Sequence, residues 1–281
     1  MKASKKQHTI PAFSLMVFVF LTVACKSIST QTYKTETPLL ERQNSIKIAL
    51  ISDLHSTIYG KDQIILIEKI KAISPDFIVL SGDIFDDVIP MTGTQLLLRG
   101  IYNVSPIFYV TGNHEYQSNN IKEIREELKS YGVVILSDDY TIIEINNDKI
   151  IIAGIEDPFK ELYETPGYNQ NDSMESAFRE LDGMPLYKIL IAHRPEMIEV
   201  YKKYSFDLVL SGHTHGGQVR IPYISNGLYA PNQGVFPKYA GGTYTHGSLT
   251  HIISRGLSIS PGRPRIFNPP ELVIIIIESS K

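Results

Sequence analysis

The sequence is poor in several features that would each point to a particular class of protein. Its 281 residues include one cysteine and no tryptophan, and 27 lysines and arginines stand against 30 aspartates and glutamates. A single cysteine excludes an internal disulfide framework and a cysteine-based zinc cluster. The formal net charge of −3 lacks the basic surplus typical of nucleic-acid-binding proteins, so we predict no nucleic-acid partner. Any metal must be held by histidine, aspartate, glutamate or asparagine.

The N-terminal apolar run is too short to cross a membrane comfortably. It covers residues 11–24, whereas a transmembrane helix needs about 20 apolar residues. Three lysines precede the run: Lys2, Lys5 and Lys6. A positive start followed by a short apolar run is the layout of a signal peptide, which we assign to residues 1–24.

The only cysteine, Cys25, follows this run directly, at the position where bacterial lipoproteins are cleaved and lipidated. We therefore predict a protein anchored to the cell membrane at Cys25 and facing outside the cytoplasm. Thr22 stands where such signals usually carry leucine, which leaves an uncleaved anchor or plain secretion as alternatives. Residues 25–45 are polar, so we expect a tether without a core, followed by one domain over residues 46–281.

Apolar runs typical of strands alternate with helical spacing through the rest of the chain. Strands are predicted near residues 46–52, 76–81, 106–110, 187–192, 207–210 and 272–277, and a hairpin turns at residues 146–148 between two more. Helical spacing between these strands predicts βαβ units and the α/β fold class. Residues 216–248, rich in glycine, proline and tyrosine, are predicted to form a long ordered loop.

Five polar segments follow these strands, and they contain most of the histidines. The segments are Asp53-Leu54-His55, Gly82-Asp83-Ile84-Phe85-Asp86, Gly112-Asn113-His114-Glu115, His193, and Gly212-His213-Thr214-His215. Taken singly, each residue would more often be a turn, cap or core residue. Together they indicate a metal site, because ligand loops converge at the carboxyl ends of strands in an open α/β sheet. Histidine and carboxylate ligands suit Zn, Mn or Fe.

The order D-x-H, G-D-x-x-D, G-N-H-E, H and G-H-x-H resembles the calcineurin-like metallophosphoesterase superfamily over residues 46–279. The stretches 104–116, 207–222, 254–257 and 267–272 resemble an exported or membrane-associated bacterial phosphodiesterase subgroup within it. The resemblance implies a four-layer α/β/β/α sandwich with the site at the strand carboxyl ends. It also implies two divalent metal ions, one held by Asp53, His55 and His215, the other by Asn113, His193 and His213, with Asp83 bridging.

The same resemblance makes His114 the catalytic acid, which would protonate or stabilise the leaving oxygen, and Asp86 the residue that orients it. The implied reaction is hydrolysis of a phosphodiester by metal-activated water. A pyrophosphatase acting on a nucleotide-linked lipid such as UDP-2,3-diacylglucosamine is an alternative enzyme. A non-catalytic metal- or solute-binding lipoprotein and a structural envelope protein are alternatives from other classes. We expect a monomer, a structural role for Arg194 and Arg255, and for Glu115 the role of a helix-start acid favoured by the helix dipole.

Overall fold

The computed structural model describes residues 27–259 and 264–281. The predicted signal peptide and Cys25 lie outside the described residues. Within the described ranges, no helix combines the length and apolar character needed to cross a lipid bilayer.

The first of two large sheets has six strands in the spatial order β1-β14-β2-β3-β4-β5. Its strands are β1 (Ser29–Thr37), β2 (Ser45–Ile51), β3 (Phe77–Ser81), β4 (Ile107–Val110), β5 (Val134–Ile135) and β14 (Glu271–Ser279). Strands β2, β3 and β4 are parallel neighbours, so their carboxyl ends meet at one edge of the sheet. Strand β14 runs antiparallel to β2.

The second sheet also has six strands, in the order β12-β13-β9-β8-β7-β6. They are β6 (Asp139–Ile145), β7 (Asp148–Ile155), β8 (Tyr187–Ala192), β9 (Leu208–Ser211), β12 (Gly242–His246) and β13 (Leu249–Ile253). Strands β6 and β7 form the predicted hairpin, and β7, β8 and β9 are parallel. A two-stranded sheet, β10 (Tyr229–Ala230) and β11 (Gly234–Val235), lies outside both.

Helices cover the outer faces of the two sheets. They are α1 (Ile64–Ile73), α2 (Thr92–Ile101), α3 (Asn113–Gln117), α4 (Ile121–Ser130), α5 (Lys160–Tyr163), α6 (Gln170–Phe178) and α7 (Ile198–Tyr201), with short 3-10 turns at Lys61–Gln63, Arg179–Leu181, Pro195–Met197 and His215–Gly217.

Three apolar clusters divide the molecule into four layers, because side chains alternate between the faces of each strand. In β2, Ile48 and Leu50 pack in the cluster shared by the two sheets, whereas Ala49 and Ile51 pack against the helices of the first sheet. A third cluster joins the second sheet to its own helices. The predicted α/β class and four-layer arrangement are confirmed.

The prediction of a tether over residues 25–45 is wrong. Residues 29–37 form β1, which pairs in parallel with β14 along its whole length, and Leu40 is fully buried. The polar composition of this segment does not exclude a strand, because β1 is an edge strand with one face towards water. Its threonines also favour an extended backbone. The described fold therefore begins well before residue 46.

The predicted long ordered loop over residues 216–248 contains short strands that the sequence did not indicate. It contains the β10–β11 hairpin, and its last residues form β12, which pairs with β13. Both elements are short and rich in glycine and tyrosine, so their sequence carries little alternation of apolar and polar residues.

Candidate metal centre

Five strand ends bring their polar side chains to one place. Asp53 and His55 follow β2, Asp83 follows β3 and Asn113 begins α3 after β4; His193, His213 and His215 follow β8 and β9 in the second sheet. The centre therefore lies where the carboxyl ends of strands from both sheets meet, as expected for ligand sites in open α/β folds.

The predicted ligands form two clusters that share Asp83. Ligand atoms of Asp53, His55, Asp83 and His215 lie within 4.8 Å of one another, and so do those of Asp83, His193 and His213. The Asp83 Oδ2 atom lies 3.1 Å from His193 Nε2 and 3.7 Å from His55 Nε2. The seventh residue, Asn113, lines the same cleft as Asp83. The structure thus brings all seven together, while their binding of metal stays a prediction.

In two of the four histidines predicted to bind metal, a serine residue contacts Nδ1, the ring nitrogen that faces away from the clusters. His193 Nδ1 lies 2.8 Å from the Ser81 carbonyl oxygen, which leaves Nε2 facing Asp83. His215 Nδ1 lies 3.0 Å from the Ser258 hydroxyl, which leaves Nε2 near Asp53. A partner on one ring nitrogen fixes the orientation of a metal-binding histidine.

The other two imidazoles are held by side-chain oxygens. His55 Nδ1 lies 2.8 Å from Asp86 Oδ2. His213 Nε2 lies 2.9 Å from Asn232 Oδ1, so that its Nδ1 faces the centre, 3.2 Å from His193 Nε2. Each of the four predicted histidine ligands therefore has one nitrogen anchored and the other turned towards the clusters.

Two glycines allow the loops after β4 and β9 to lie close against the loops after β3 and β2. A Cβ atom on Gly112 would lie 2.2 Å from Asp83 Oδ1, and one on Gly212 would lie 1.7 Å from the Ser52 hydroxyl oxygen. Any larger residue at either position would displace a side chain at the centre.

Electrostatic coupling is strong because the centre is buried. Burial by itself would raise the pKa of Asp83, but the imidazoles of His193, His114 and His55 hold it well below its usual value. Burial would likewise lower the pKa of His193, yet Asp83 and nearby Asp53 raise it to about 10. Protons thus balance the buried carboxylates, and cations bound by the same groups would replace those protons.

The other histidine ligands differ in the direction of their pKa shift. Burial would lower the pKa of His55, but Asp86 and Asp83 raise it, whereas the pKa values of His213 and His215 are lowered. Burial and the charge of His193 lower the pKa of His213 to about 3. Burial also lowers the pKa of His215 well below its usual value. A neutral imidazole is the form that binds a metal ion.

Unpartnered buried atoms support the fit of metal ions. Among the described residues, His55 Nε2, Asp83 Oδ2 and Asn113 Oδ1 are buried polar atoms without a hydrogen-bond partner. Such atoms are costly unless something binds them. Their nitrogen and oxygen character matches Zn, Mn or Fe, so the residues present fit two divalent ions.

Asp86 lies within ion-pair distance of His114, as predicted, but its hydrogen bond is to another histidine. Asp86 Oδ2 faces His55, and it lies 3.9 Å from His114 Nδ1. The next residue, Asp87, makes the contact instead, with Oδ1 2.7 Å from His114 Nδ1. Asp86 Oδ1 also accepts hydrogen bonds from the backbone N–H groups of residues 88 and 89, which leaves Oδ2 to face His55.

Glu115 does more than favour a helix start. Its fully buried carboxylate accepts hydrogen bonds from the backbone N–H groups of Asp83, Ile84, Phe85 and Gly112. It therefore ties the loop after β3 to the loop after β4. The G-N-H-E spacing contains this residue, but its contacts across the chain have no sequence signature.

The expected structural roles of the two arginines agree with their contacts. Arg194 makes a buried two-point ion pair with Asp157, at 2.7 and 3.0 Å, beside the cleft. Arg255 pairs with Glu271, with Nη1 2.5 Å from Oε2.

A cleft of about 220 Å³ opens onto the two clusters. Its lining includes Asp83, Asn113, His114, Arg194, Pro231 and Asn232. His114 is exposed to 23%, so its ring reaches the cleft while the predicted ligands beneath it are buried. The arrangement can hold two cations below a small anionic group and present an imidazole to it.

Comparisons with known proteins agree with this geometry. Residues 46–217, more than half of the chain, match the family model described as calcineurin-like phosphoesterase. The uncharacterised protein YpbG of Bacillus subtilis is 27% identical over 273 residues, covering 96% of this chain and 94% of YpbG. The phosphodiesterase YaeI of Escherichia coli is 28% identical over 221 residues, covering 75% of this chain and 74% of YaeI.

One solved structure supports the fold. The NAD nucleotidase of Haemophilus influenzae superposes with a TM-score of 0.53 and 15% identity over 77% of this chain. The match spans 46% of the nucleotidase chain, and at this identity the likeness concerns the fold alone.

Proposed function

This chain belongs to the calcineurin-like phosphoesterase family, and from that premise we propose that it is a two-metal phosphodiesterase acting outside the cytoplasmic membrane. The observation that carries the proposal is the pair of ligand clusters sharing Asp83 at the base of the cleft. The preference for a diester is supported by the likeness to the phosphodiesterase YaeI.

In this proposal the seven buried side chains hold the two ions in the predicted division. Asp53, His55 and His215 would hold one ion, Asn113, His193 and His213 would hold the other, and Asp83 would contribute to both. Two divalent ions supply Lewis-acid chemistry, since they lower the pKa of water and offset charge on a phosphoryl group. The His114 backbone N–H donates to Asp83 Oδ1 at 2.9 Å, which fixes the shared carboxylate.

The chain itself supplies the proton for the leaving group. His114 lies at the cleft wall with Asp87 Oδ1 against its Nδ1, so its Nε2 is the atom left to reach the substrate. An imidazole placed in this way can donate a proton to the leaving oxygen as the ester bond breaks. Asp87 acts through His114 as a positioning residue.

The location outside the membrane rests on the N-terminal sequence. The basic start, the apolar run at residues 11–24 and Cys25 together have the layout of an exported lipoprotein. Lipidation at Cys25 would hold the domain at the membrane surface, since the several acyl chains of a lipoprotein anchor stably where one chain does not.

Replacing His114 tests the proposal. His114→Asn should retain both metal ions and lose about 10²–10⁴-fold in rate on a diester with a poor leaving group. The loss should shrink for nitrophenyl diesters, whose leaving group needs little protonation. His246→Asn, a histidine on β12 outside the cleft, is the matched control and should hydrolyse both substrates normally.

Metal content and rates are measured on the same preparations, with a phosphomonoester included to test the diester preference. An unchanged rate on the poor leaving group, with both metals bound, would remove His114 from the reaction. A chain that binds both metals but hydrolyses none of these esters would refute the proposed activity.

A further inference from the structure

The loops beside the cleft expose a cluster of apolar side chains. We call residues 219–236 and 266–267 the apolar lobe. Its exposed side chains are Ile221, Tyr223, Ile224, Leu228, Tyr229, Val235, Phe236 and Phe267. Tyr223 is fully exposed and Ile224 is exposed to 81%. Clustered apolar side chains of this kind mark an interaction surface on a folded protein.

Backbone hydrogen bonds hold the lobe in a defined shape. The Phe236 N–H donates to the Leu228 carbonyl at 2.8 Å, and the Arg220 N–H donates to the Ile266 carbonyl at 3.0 Å. A tight turn over residues 221–225, closed by hydrogen bonds between its two ends, carries Tyr223 and Ile224 at its tip. The exposed side chains therefore sit on an ordered surface.

The sequence around the lobe carries no negative charge. Residues 208–270 contain no aspartate or glutamate, although the whole chain has 30. The same stretch contains five basic residues: Arg220, Lys238, Arg255, Arg263 and Arg265. Arg265 is buried and Arg255 pairs with Glu271, so among the described residues the basic surface of this stretch comes from exposed Lys238 and half-buried Arg220. Aromatic and aliphatic side chains beside basic residues, without acidic ones, suit the interface of a membrane that contains anionic lipids.

The N-terminal end of the described fold lies at the same edge of the first sheet as the metal centre. Strand β14 is antiparallel to β2 and β1 is parallel to β14, so both begin at the edge where the metal centre lies. The Ser29 N–H donates to the Pro270 carbonyl at 2.8 Å, three residues beyond Phe267 of the lobe. In the proposed lipidated form the chain begins at Cys25, which at ~3.5 Å per residue lies at most about 7 Å of chain from Ser27.

The lobe also forms part of the cleft wall. Pro231 and Asn232, in the turn between β10 and β11, line the cleft, and Asn232 contacts His213. From these observations we propose that the apolar lobe docks on a lipid bilayer, so that the metal cleft opens at the membrane surface. The inference rests on the proposed lipidation of Cys25. The occupant is a bilayer because that lipid would hold the start of β1 at the membrane, on the same side as the lobe, and the lobe has no acidic residue.

The absence of tryptophan allows a direct test on the full chain. Tyr223→Trp places the only tryptophan at the tip of the lobe. Tyr102→Trp is the matched control, since Tyr102 is 53% exposed and follows α2, at the opposite edge of the first sheet. Both proteins are reconstituted into phosphatidylcholine–phosphatidylglycerol vesicles, with or without brominated acyl chains.

The Tyr223→Trp emission should shift to shorter wavelength and lose roughly half its intensity with brominated lipid, since a docked apolar face enters the interface by about 5–10 Å. Tyr102→Trp should be unaffected. If Tyr223→Trp folds poorly, Phe236→Trp serves in its place. An unquenched lobe tryptophan, or equal quenching at both positions, would overturn the proposal. A shift without quenching would also overturn it and would indicate a second copy of the chain on the lobe.

Discussion

Replacing Asp86 and Asp87 separately by asparagine should separate metal binding from proton transfer. The two neighbours serve different histidines, because Asp86 Oδ2 lies 2.8 Å from His55 Nδ1 and Asp87 Oδ1 lies 2.7 Å from His114 Nδ1. His55 is a predicted metal ligand, whereas His114 is the proposed proton donor. The two variants should therefore fail in different assays.

The structure sets the size of each effect. Asp86 is almost buried, so Asp86→Asn should weaken metal binding by about 10–100-fold, as expected when the partner of a ligating histidine is lost. A hydrogen bond to a charged group contributes about 1.5–3 kcal/mol. Since Asp87 and His114 are 30% and 23% exposed, solvent screening reduces this to about 1 kcal/mol. At 1.36 kcal/mol per tenfold, Asp87→Asn should slow hydrolysis roughly fivefold.

Metal affinity is measured by titration against a chelator of known metal affinity. The hydrolysis rate is measured at saturating metal, on substrates with good and with poor leaving groups. Asp87→Asn should bind metal normally and lose rate mainly on the poor leaving group. Asp86→Asn should recover most of its rate at high metal concentration. Asp172→Asn, an exposed carboxylate on α6, controls for the loss of charge. Normal metal affinity in Asp86→Asn, together with an unaffected rate in Asp87→Asn, would refute this division of roles.

Three further outcomes are expected. Chelation should abolish hydrolysis, and adding Mn, Zn or Fe should restore it. Among the ligand changes, Asp83→Asn should lower the rate most, because Asp83 belongs to both clusters. Fewer than one metal per chain in fully active protein would contradict this. Glu115→Gln should lower the free energy of unfolding by about 1–3 kcal/mol in urea titration. Each carboxylate oxygen accepts from two backbone N–H groups, so the NH2 group of glutamine would face two donors and leave them unpaired. An unchanged urea midpoint would argue against the buttressing role of Glu115. Cys25→Ser should block lipidation and processing, so that mass spectrometry detects an unlipidated chain that retains residues 1–24. An unmodified N-terminus downstream of residue 25 in the wild type would contradict this.

The parts of the fold that follow from local pattern were accessible from the sequence. The runs that became β2, β3, β4, β8 and β9 are short and apolar, and each is followed by polar residues. Parallel strands have their carboxyl ends at one edge, so the residues after them were expected to meet there. Strand ends thus predict that the five polar segments meet, while the division of seven ligands between two ions is implied by the family resemblance.

The contacts that depend on pairing between distant segments were decided only by the tertiary structure. Strand β1 looked like a tether because its partner β14 lies more than 200 residues away, and edge pairing leaves polar side chains in water. The choice between Asp86 and Asp87 as the partner of His114 depends on differences of about an ångström in backbone placement. Asn232 and Ser258 reach the centre from loops without any motif of their own. Sequence pattern reports which residues share a strand end, because that follows from backbone periodicity. Hydrogen-bond partners follow from distances that only the packed chain defines.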